Sequence, residues 1–332
     1  MSTPLVELKD VSKVFRLGGL FRRVGLHVIS NVSLTIESGE IVCLVGESGC
    51  GKTTLGRIVL GLVEPTSGEV LYGGERLWNG GKKQFAPPAQ IVHQDSYAAL
   101  NPVRTVYQSI SAPLLRHGVS RNKVRERAEE ILMSIGLNPP EYFLTKYPHH
   151  LSGGQRQRLV LARSAIPKPR LIVADEPVSM VDMSLRLSVL DMMLQMNQES
   201  GMAFLYITHD LATARYIGRK GRMAVMYLGT IVEEGELQAL FDRPLHPYLQ
   251  ALLSAAPVPD PRIAKKRKPL RVKEVELPDL SKRPTGCAFH PRCPYEEEIC
   301  SQTRPELREY EGHRVACHLA ERIPVWTLES ES

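Results

Sequence analysis

Near the start of the chain, Val6, Leu8 and Val11, and then Val32, Leu34 and Ile36, alternate with polar neighbours. That is the pattern of half-buried strands. Between them Arg16 to Gly25 is rich in Gly and Arg and reads as an exposed loop. Ile41 to Val45, Leu171 to Ala174 and Ala203 to Ile207 are apolar throughout, as strands covered on both faces are. Val70 to Trp78 reads as a further strand and its exit, and residues 79–88 as a loop without periodicity. From about Asn101 to Ile166 the spacing turns helical; Val124, Ala128, Ile131, Leu132 and Ile135 mark one apolar stripe. Ser184 to Glu199 is helical in pattern, and Met223 to Leu228 with Ile231 to Glu234 predict a hairpin about Gly229. Apolar strands alternating with helices predict an α/β fold with a mostly parallel sheet.

Composition adds bounds. A chain of 332 residues exceeds a typical single domain, so one large domain with an appendage, or two domains, is expected. Hydrophobic content of 43% and charged content of 23% are ordinary for a soluble globular protein. No apolar run reaches the roughly 18 residues that span a bilayer, and Met1 to Asp10 lacks the profile of a secretory signal. A cytosolic setting follows, with any membrane contact made through a partner. The net charge of +6 is concentrated in residues 261–273, without which it becomes −1. The basicity therefore belongs to a Pro-rich linker, about 257–284, and not to a folded face. A solvated linker, or contact with an anionic lipid or RNA, both suit it.

Gly46-Glu47-Ser48-Gly49-Cys50-Gly51-Lys52-Thr53-Thr54 follows the strand at Ile41 and precedes a helical segment, Leu55 to Val63. Strand, glycine-rich turn, Lys-Thr and helix form the arrangement that wraps a nucleotide triphosphate. Backbone N–H groups point at phosphate oxygens, Lys52 adds a point charge, Thr53 offers a hydroxyl to Mg²⁺, and the helix N-terminus adds its dipole. A glycine-rich turn can also be only a turn. Asp175 and Glu176 close the second buried strand. An aspartate there can hold Mg²⁺ and an adjacent glutamate can polarise water; two exposed acids at a strand end is the plainer alternative.

With these in place the chain resembles the ATP-binding subunit of an ABC transporter over residues 5 to about 255. The resemblance implies a P-loop NTPase core of ABC type, an antiparallel β subdomain, a helical signature subdomain at about 100–166, and an ATP-binding domain spanning 1–256. It implies that Phe15 stacks on adenine, that Gly46 to Thr54 binds the phosphates, and that Gln94 joins Thr53 and Asp175 at Mg²⁺. It makes Glu176 the water-polarising carboxylate and His209 the γ-phosphate contact. Leu151-Ser152-Gly153-Gly154-Gln155 is its signature motif, which acts on the ATP of a partner, and Asp182 closes its D-loop. Two such subunits, identical or paralogous, would close head to tail on ATP and dock on two transmembrane permeases at the cytoplasmic face. The D-loop reads Ser179-Met180-Val181-Asp182 where Ser-Ala-Leu-Asp is usual, which bears on contact across the dimer. His150 stands where Glu is common and Leu249 where Thr is usual.

A narrower resemblance comes later in the chain. His246-Pro247-Tyr248, and Gly286-Cys287-Ala288-Phe289-His290-Pro291-Arg292-Cys293-Pro294, are similar to the oligopeptide and dipeptide importer branch. It implies peptide import with an extracytoplasmic solute-binding protein and no specific nucleic acid. The alternatives are a same-branch importer of a sugar or metal chelate, or a soluble ABC ATPase acting on nucleic acid. Cys287, Cys293, Cys300 and Cys317 form a local set in a small C-terminal extension, 285–332. Four local thiols in a cytosolic chain favour ligation over disulfides. In this branch they can hold a [4Fe-4S] cluster; zinc or free thiols are the alternatives.

Overall fold

The computed structural model describes residues 3–17, 24–257, 270–274 and 283–326. Most of the basic linker lies outside the described residues. The chain forms two compact units. The first takes its described residues from Met1–Glu37, Ile41–Ala86 and Ile207–Ser332, and the second from Ser38–Glu40 and Pro87–Tyr206.

The first unit opens with an antiparallel sheet. Strands β1 (Val6–Leu17) and β2 (Val24–Ile36) run longer than their alternating cores predict. Pairing carries the polar residues Lys13 and Arg16 into the ladder, opposite Ile29 and Gly25. After β3 (Ile41–Val45) and α1 (Lys52–Val59), β4 (Ser67–Tyr72) pairs with β1 on its free side, Val6 opposite Tyr72. The expected strand from Val70 to Trp78 is broken: Gly73 and Gly74 turn the chain back as β5 (Glu75–Arg76). The expected loop at 79–88 contains a two-residue hairpin, β6 (Trp78–Asn79) with β7 (Lys82–Lys83). Its polar sequence carries no period-2 signal, so cross-strand pairing alone makes it.

The second unit holds β8 (Ala89–Val92), then α2 (Ser96–Ala99), α3 (Val106–Arg116), α4 (Val124–Ser134), α5 (Pro140–Leu144) and α6 (Gly153–Ala165). It continues with β9 (Leu171–Asp175), α7 (Met183–Ser200) and most of β10 (Ala203–Thr208). β8 and β9 pair in parallel, Val92 opposite Ala174. The predicted stripe on α4 is the buried one: Val124, Ala128 and Leu132 have almost no exposure. Thr105 starts α3 with a capping box closed by Gln108. Arg163 on α6 donates to the carbonyl of Ala99 at the end of α2, and Arg158 to that of Ile135 at the end of α4, supplying donors to helix C-terminal carbonyls.

The first unit resumes with α8 (Leu211–Ile217), the hairpin β11 (Arg222–Tyr227) and β12 (Thr230–Glu236), α9 (Leu237–Asp242) and α10 (Pro247–Ala255). After the linker come α11 (Glu298–Gln302), β13 (Arg308–Tyr310) and β14 (His313–Val315). Here the strands lie in the order β13-β14-β12-β11-β3. The cysteine-bearing tail therefore adds a hairpin to the edge of the sheet that carries β3. Its attachment is polar and buried. The fully buried carboxylate of Glu233 accepts from the N–H groups of Leu245 and His246, at 2.9 and 2.8 Å, with His313 Nδ1 3.1 Å away. Burial pushes the Glu233 pKa up, against the pull of the His313 hydrogen bond.

Candidate nucleotide-binding site

In the first unit the loop from Gly46 to Gly51 joins β3 to α1. Gly51 stands at the N-cap of α1 with φ 108° and no side-chain cap, so the helix opens on bare N–H groups. A Cβ at Gly51 would lie 2.8 Å from the carbonyl oxygen of Val28 on β2, so only glycine fits both the dihedral and the space. Lys52 is buried, at 5% exposure, although it is a lysine. Its ammonium donates to the carbonyls of Gly46 at 2.7 Å and Glu47 at 2.9 Å, folding back across the loop. Cys50 N–H closes the turn onto Glu47, and the Cys50 carbonyl accepts from Gly229. Burial raises the Cys50 thiol pKa despite the nearby Lys52 charge, so a helix N-terminus does not make it a reactive thiolate. Thr53 is exposed, and Thr54, Gly46, Ser48 and Gly49 complete the segment. Phe15 lies half-buried on β1, with Lys13 Nζ 5.1 Å from its ring centre. His209 is exposed just past β10, and Asp210 caps α8 by accepting from Ala212 N–H.

The second unit presents the other candidates at strand and helix ends. Gln94 is exposed two residues past β8, just before Asp95, which caps α2. Asp175 ends β9. Glu176 follows with φ 48°, a left-handed conformation uncommon outside glycine and frequent at functional sites. Its carbonyl accepts from the hydroxyl of Ser179 at 3.0 Å, which holds that turn. Ser152 caps α6 by accepting from Gln155 N–H, while the Gln155 side chain accepts from Ser152 N–H at 2.9 Å. Gly153 and Gly154 therefore form the first turn without side chains. A Cβ on Gly154 would come 2.8 Å from Leu185 Cδ1 on α7. The buried Arg156 guanidinium stacks 3.3 Å over Tyr97. Asp182 is exposed at the start of α7 and makes no side-chain cap.

Two contacts to the phosphate loop were not legible in the chain. Tyr248 on α10 accepts the Glu47 N–H at 2.8 Å. Arg292, between two of the tail cysteines, holds the Glu47 carboxylate with two donors at 2.7 and 3.1 Å. Burial works against the Arg292 charge, but the Glu47 hydrogen bonds outweigh it and its pKa moves up. The only signal was the presence of Tyr248 and Arg292 in the His-Pro-Tyr and Phe-His-Pro-Arg segments, and 245 residues separate Arg292 from Glu47.

The four tail cysteines line one small cavity with Phe289, His290 and His318. Among the described residues, however, no group of three or more His, Cys, Asp or Glu side chains is placed to hold a metal ion. The four thiols converge on the cavity without being arranged as a four-thiolate metal site. Cys300 and Cys317 pack instead in an apolar cluster with Leu245, Val315, Leu319 and Ile323. Burial pushes the Cys287 thiol up to about 11, and Cys293 and Cys317 up to about 12.

A glycine-bounded phosphate loop, a strand ending in Asp-Glu and a helix opened by Ser-Gly-Gly define an ATP-binding cassette. The comparisons agree. Residues 29–179 match the ABC transporter family profile, and residues 232–300 match the oligopeptide/dipeptide transporter C-terminal region. The chain is 42% identical to the oligopeptide transport ATP-binding protein AppF of Bacillus subtilis, across 95% of this chain and 97% of that one. It is 40% identical to OppF of Escherichia coli, across 88% and 87%. The dimeric post-hydrolysis structure of the cassette MJ0796, bound to ADP and Pi, covers 70% of this chain and 98% of that chain, with TM-score 0.59 and 29% identity. The chain belongs to the ATP-binding proteins of ABC transporters, in the group carrying the oligopeptide/dipeptide C-terminal region, and is an ATP-hydrolysing transporter subunit. No helix among the described residues is long and apolar enough to cross a membrane.

Proposed function

We propose that this subunit hydrolyses ATP to drive import of di- and oligopeptides. The observation that carries the reading is the match of residues 232–300 to the oligopeptide/dipeptide C-terminal region, in relatives named for peptide transport. It works peripherally at the cytoplasmic face, with a second ATPase subunit, two permeases and an extracytoplasmic binding protein. A carrier of sugars or metal chelates, or a soluble ATPase on nucleic acid, has no comparable support.

The proposed roles follow from the chemistry of each group. Phe15 stacks on adenine. The N–H groups from Gly46 to Thr54 and the Lys52 charge hold the phosphates. The hydroxyl of Thr53, the amide of Gln94 and the carboxylate of Asp175 are an oxygen donor set suited to Mg²⁺, which when bound neutralises developing phosphate charge. Glu176 polarises the attacking water and His209 contacts the γ-phosphate. Ser152, Gly153, Gly154 and Gln155 offer their bare helix start to ATP held by the partner subunit, with Asp182 beside that contact. ATP then favours the closed dimer, because each nucleotide is bound from both sides only when the subunits meet. The four thiols around one cavity supply the donor type that a [4Fe-4S] cluster or a tetrahedral zinc takes, and a cluster there requires them to draw closer together than the arrangement described above.

Glu176→Gln tests the core of the proposal. It keeps the volume and removes the base, so MgATP binding persists while turnover drops by about 10²–10⁴-fold. The variant also accumulates as an ATP-bound dimer on size exclusion. Turnover equal to wild type at equal nucleotide occupancy sinks the assignment. Peptide-stimulated turnover of the chain assembled with its permeases and binding protein tests the substrate.

A further inference from the structure

The phosphate loop carries an acid. A carboxylate at Glu47 stands in a segment whose task is to hold a polyphosphate, and like charges there oppose binding. The structure disposes of that charge. Arg292 grips both carboxylate oxygens, at 2.7 and 3.1 Å, and its side chain is only 7% exposed. The guanidinium is itself fixed. Its Nε donates to the carbonyl of Glu274 at 3.1 Å, and its backbone lies in the short turn His290–Arg292. Phe289 and Tyr227 flank it, with ring centres 5.7 and 5.8 Å away. Phe289 is fully buried against Tyr227 and Tyr248. Glu47 is thus held at three points: N–H by Tyr248, carbonyl by Lys52, carboxylate by Arg292.

We propose that Arg292 is a positioning residue for ATP: from the C-terminal segment it neutralises Glu47 and holds its carboxylate away from the phosphates. It does not touch the nucleotide. It lets the loop carry an acid, and through it the loop's affinity depends on a segment 245 residues away in sequence. A pre-held loop binds without first ordering itself, which favours affinity. A bidentate arginine suits this task better than a lysine, because its planar fork fixes orientation as well as charge.

The inference rests on the assignment of Gly46–Thr54 as the ATP site, and the test separates the two. MgATP binding to the full-length chain is measured by calorimetry for wild type, Lys52→Ala, Arg292→Ala, and Arg292→Ala combined with Glu47→Gln. Arg292→Ala is expected to weaken MgATP binding about 10-fold, or about 1.4 kcal/mol. The added Glu47→Gln removes the charge left without its partner and restores affinity to within about 3-fold of wild type, as coupling within one ion pair requires. A purely structural Arg292 gives no such rescue. Unchanged affinity in Arg292→Ala, or a loss that Glu47→Gln leaves in place, overturns the proposal. If Arg292→Ala does not fold, Arg292→Gln, which keeps donors without charge, is read on the same scale with the same two outcomes. Wild-type protein that fails to bind MgATP, or Lys52→Ala that binds as well as wild type, refutes the site assignment itself.

Discussion

Two glycines of the phosphate loop share a positive φ but differ in their surroundings, and alanine distinguishes them. Gly49 has φ 82° and Gly51 φ 108°. A Cβ on Gly49 meets nothing within 4 Å, whereas on Gly51 it meets the Val28 carbonyl oxygen at 2.8 Å and Ile29 Cδ1 at 2.9 Å. Gly49→Ala therefore carries only the dihedral penalty, about 1–2 kcal/mol. Gly51→Ala carries that penalty plus an overpacking term of about 1–3 kcal/mol, because a backbone oxygen on β2 cannot swing away. The expected difference between the variants is that second term. Urea denaturation of the full-length chain, with the slope held common, reads it as a gap in midpoints. MgATP titration on the same samples should show the larger loss for Gly51→Ala, since relief of the contact displaces the start of α1. Equal destabilisation of the two variants refutes the argument from space.

The other tests concern the C-terminal segment. His246 is fully buried and caps α10 through Nδ1, accepting from Tyr248 N–H at 3.0 Å. Burial lowers its pKa from 6.5 to about 3. Between those values the unfolded chain binds the extra proton, so stability is full above pH 6.5 and falls as pH drops towards 3. From pH 7 to pH 5 the loss from this group is about 2 kcal/mol. His246→Asn keeps a capping oxygen and removes the titration, so it should lose about that much less than wild type in urea melts; identical losses refute it. The opposing titration of Glu233 is common to both proteins. For the cysteines, anaerobically purified protein carrying a cluster absorbs in the visible blue and loses that band on Cys300→Ser; a colourless full-length chain refutes the cluster, and one that also lacks stoichiometric zinc refutes any metal at these thiols.

The local structure around the candidate site residues is made by short, contiguous segments, which is why its turns and caps could be read directly. Asp175–Glu176 follows an apolar strand with no intervening residue, and Ser152 caps the helix that the next two glycines begin. In each case the residues that make the local structure are neighbours in the chain. The strands and helices were legible where burial is unbroken over a short run, as in β9 and β10, or repeats with the helical period, as in α4. The β6–β7 hairpin, with its polar strands, was not, and neither was the full reach of β1 and β2.

The sequence by itself determined an ATP-binding cassette and the kinship of its tail with peptide transporters. It could not show where the tail goes. Folding places β14 beside β12, buries Glu233 under His246 and His313, and brings Arg292 onto Glu47. It also packs Cys300 and Cys317 into an apolar cluster beside the cavity that all four tail cysteines line. The polar contacts among these join residues from 13 to 245 positions apart. They depend on which buried charges find partners and which apolar faces close together, and no local period encodes that pairing.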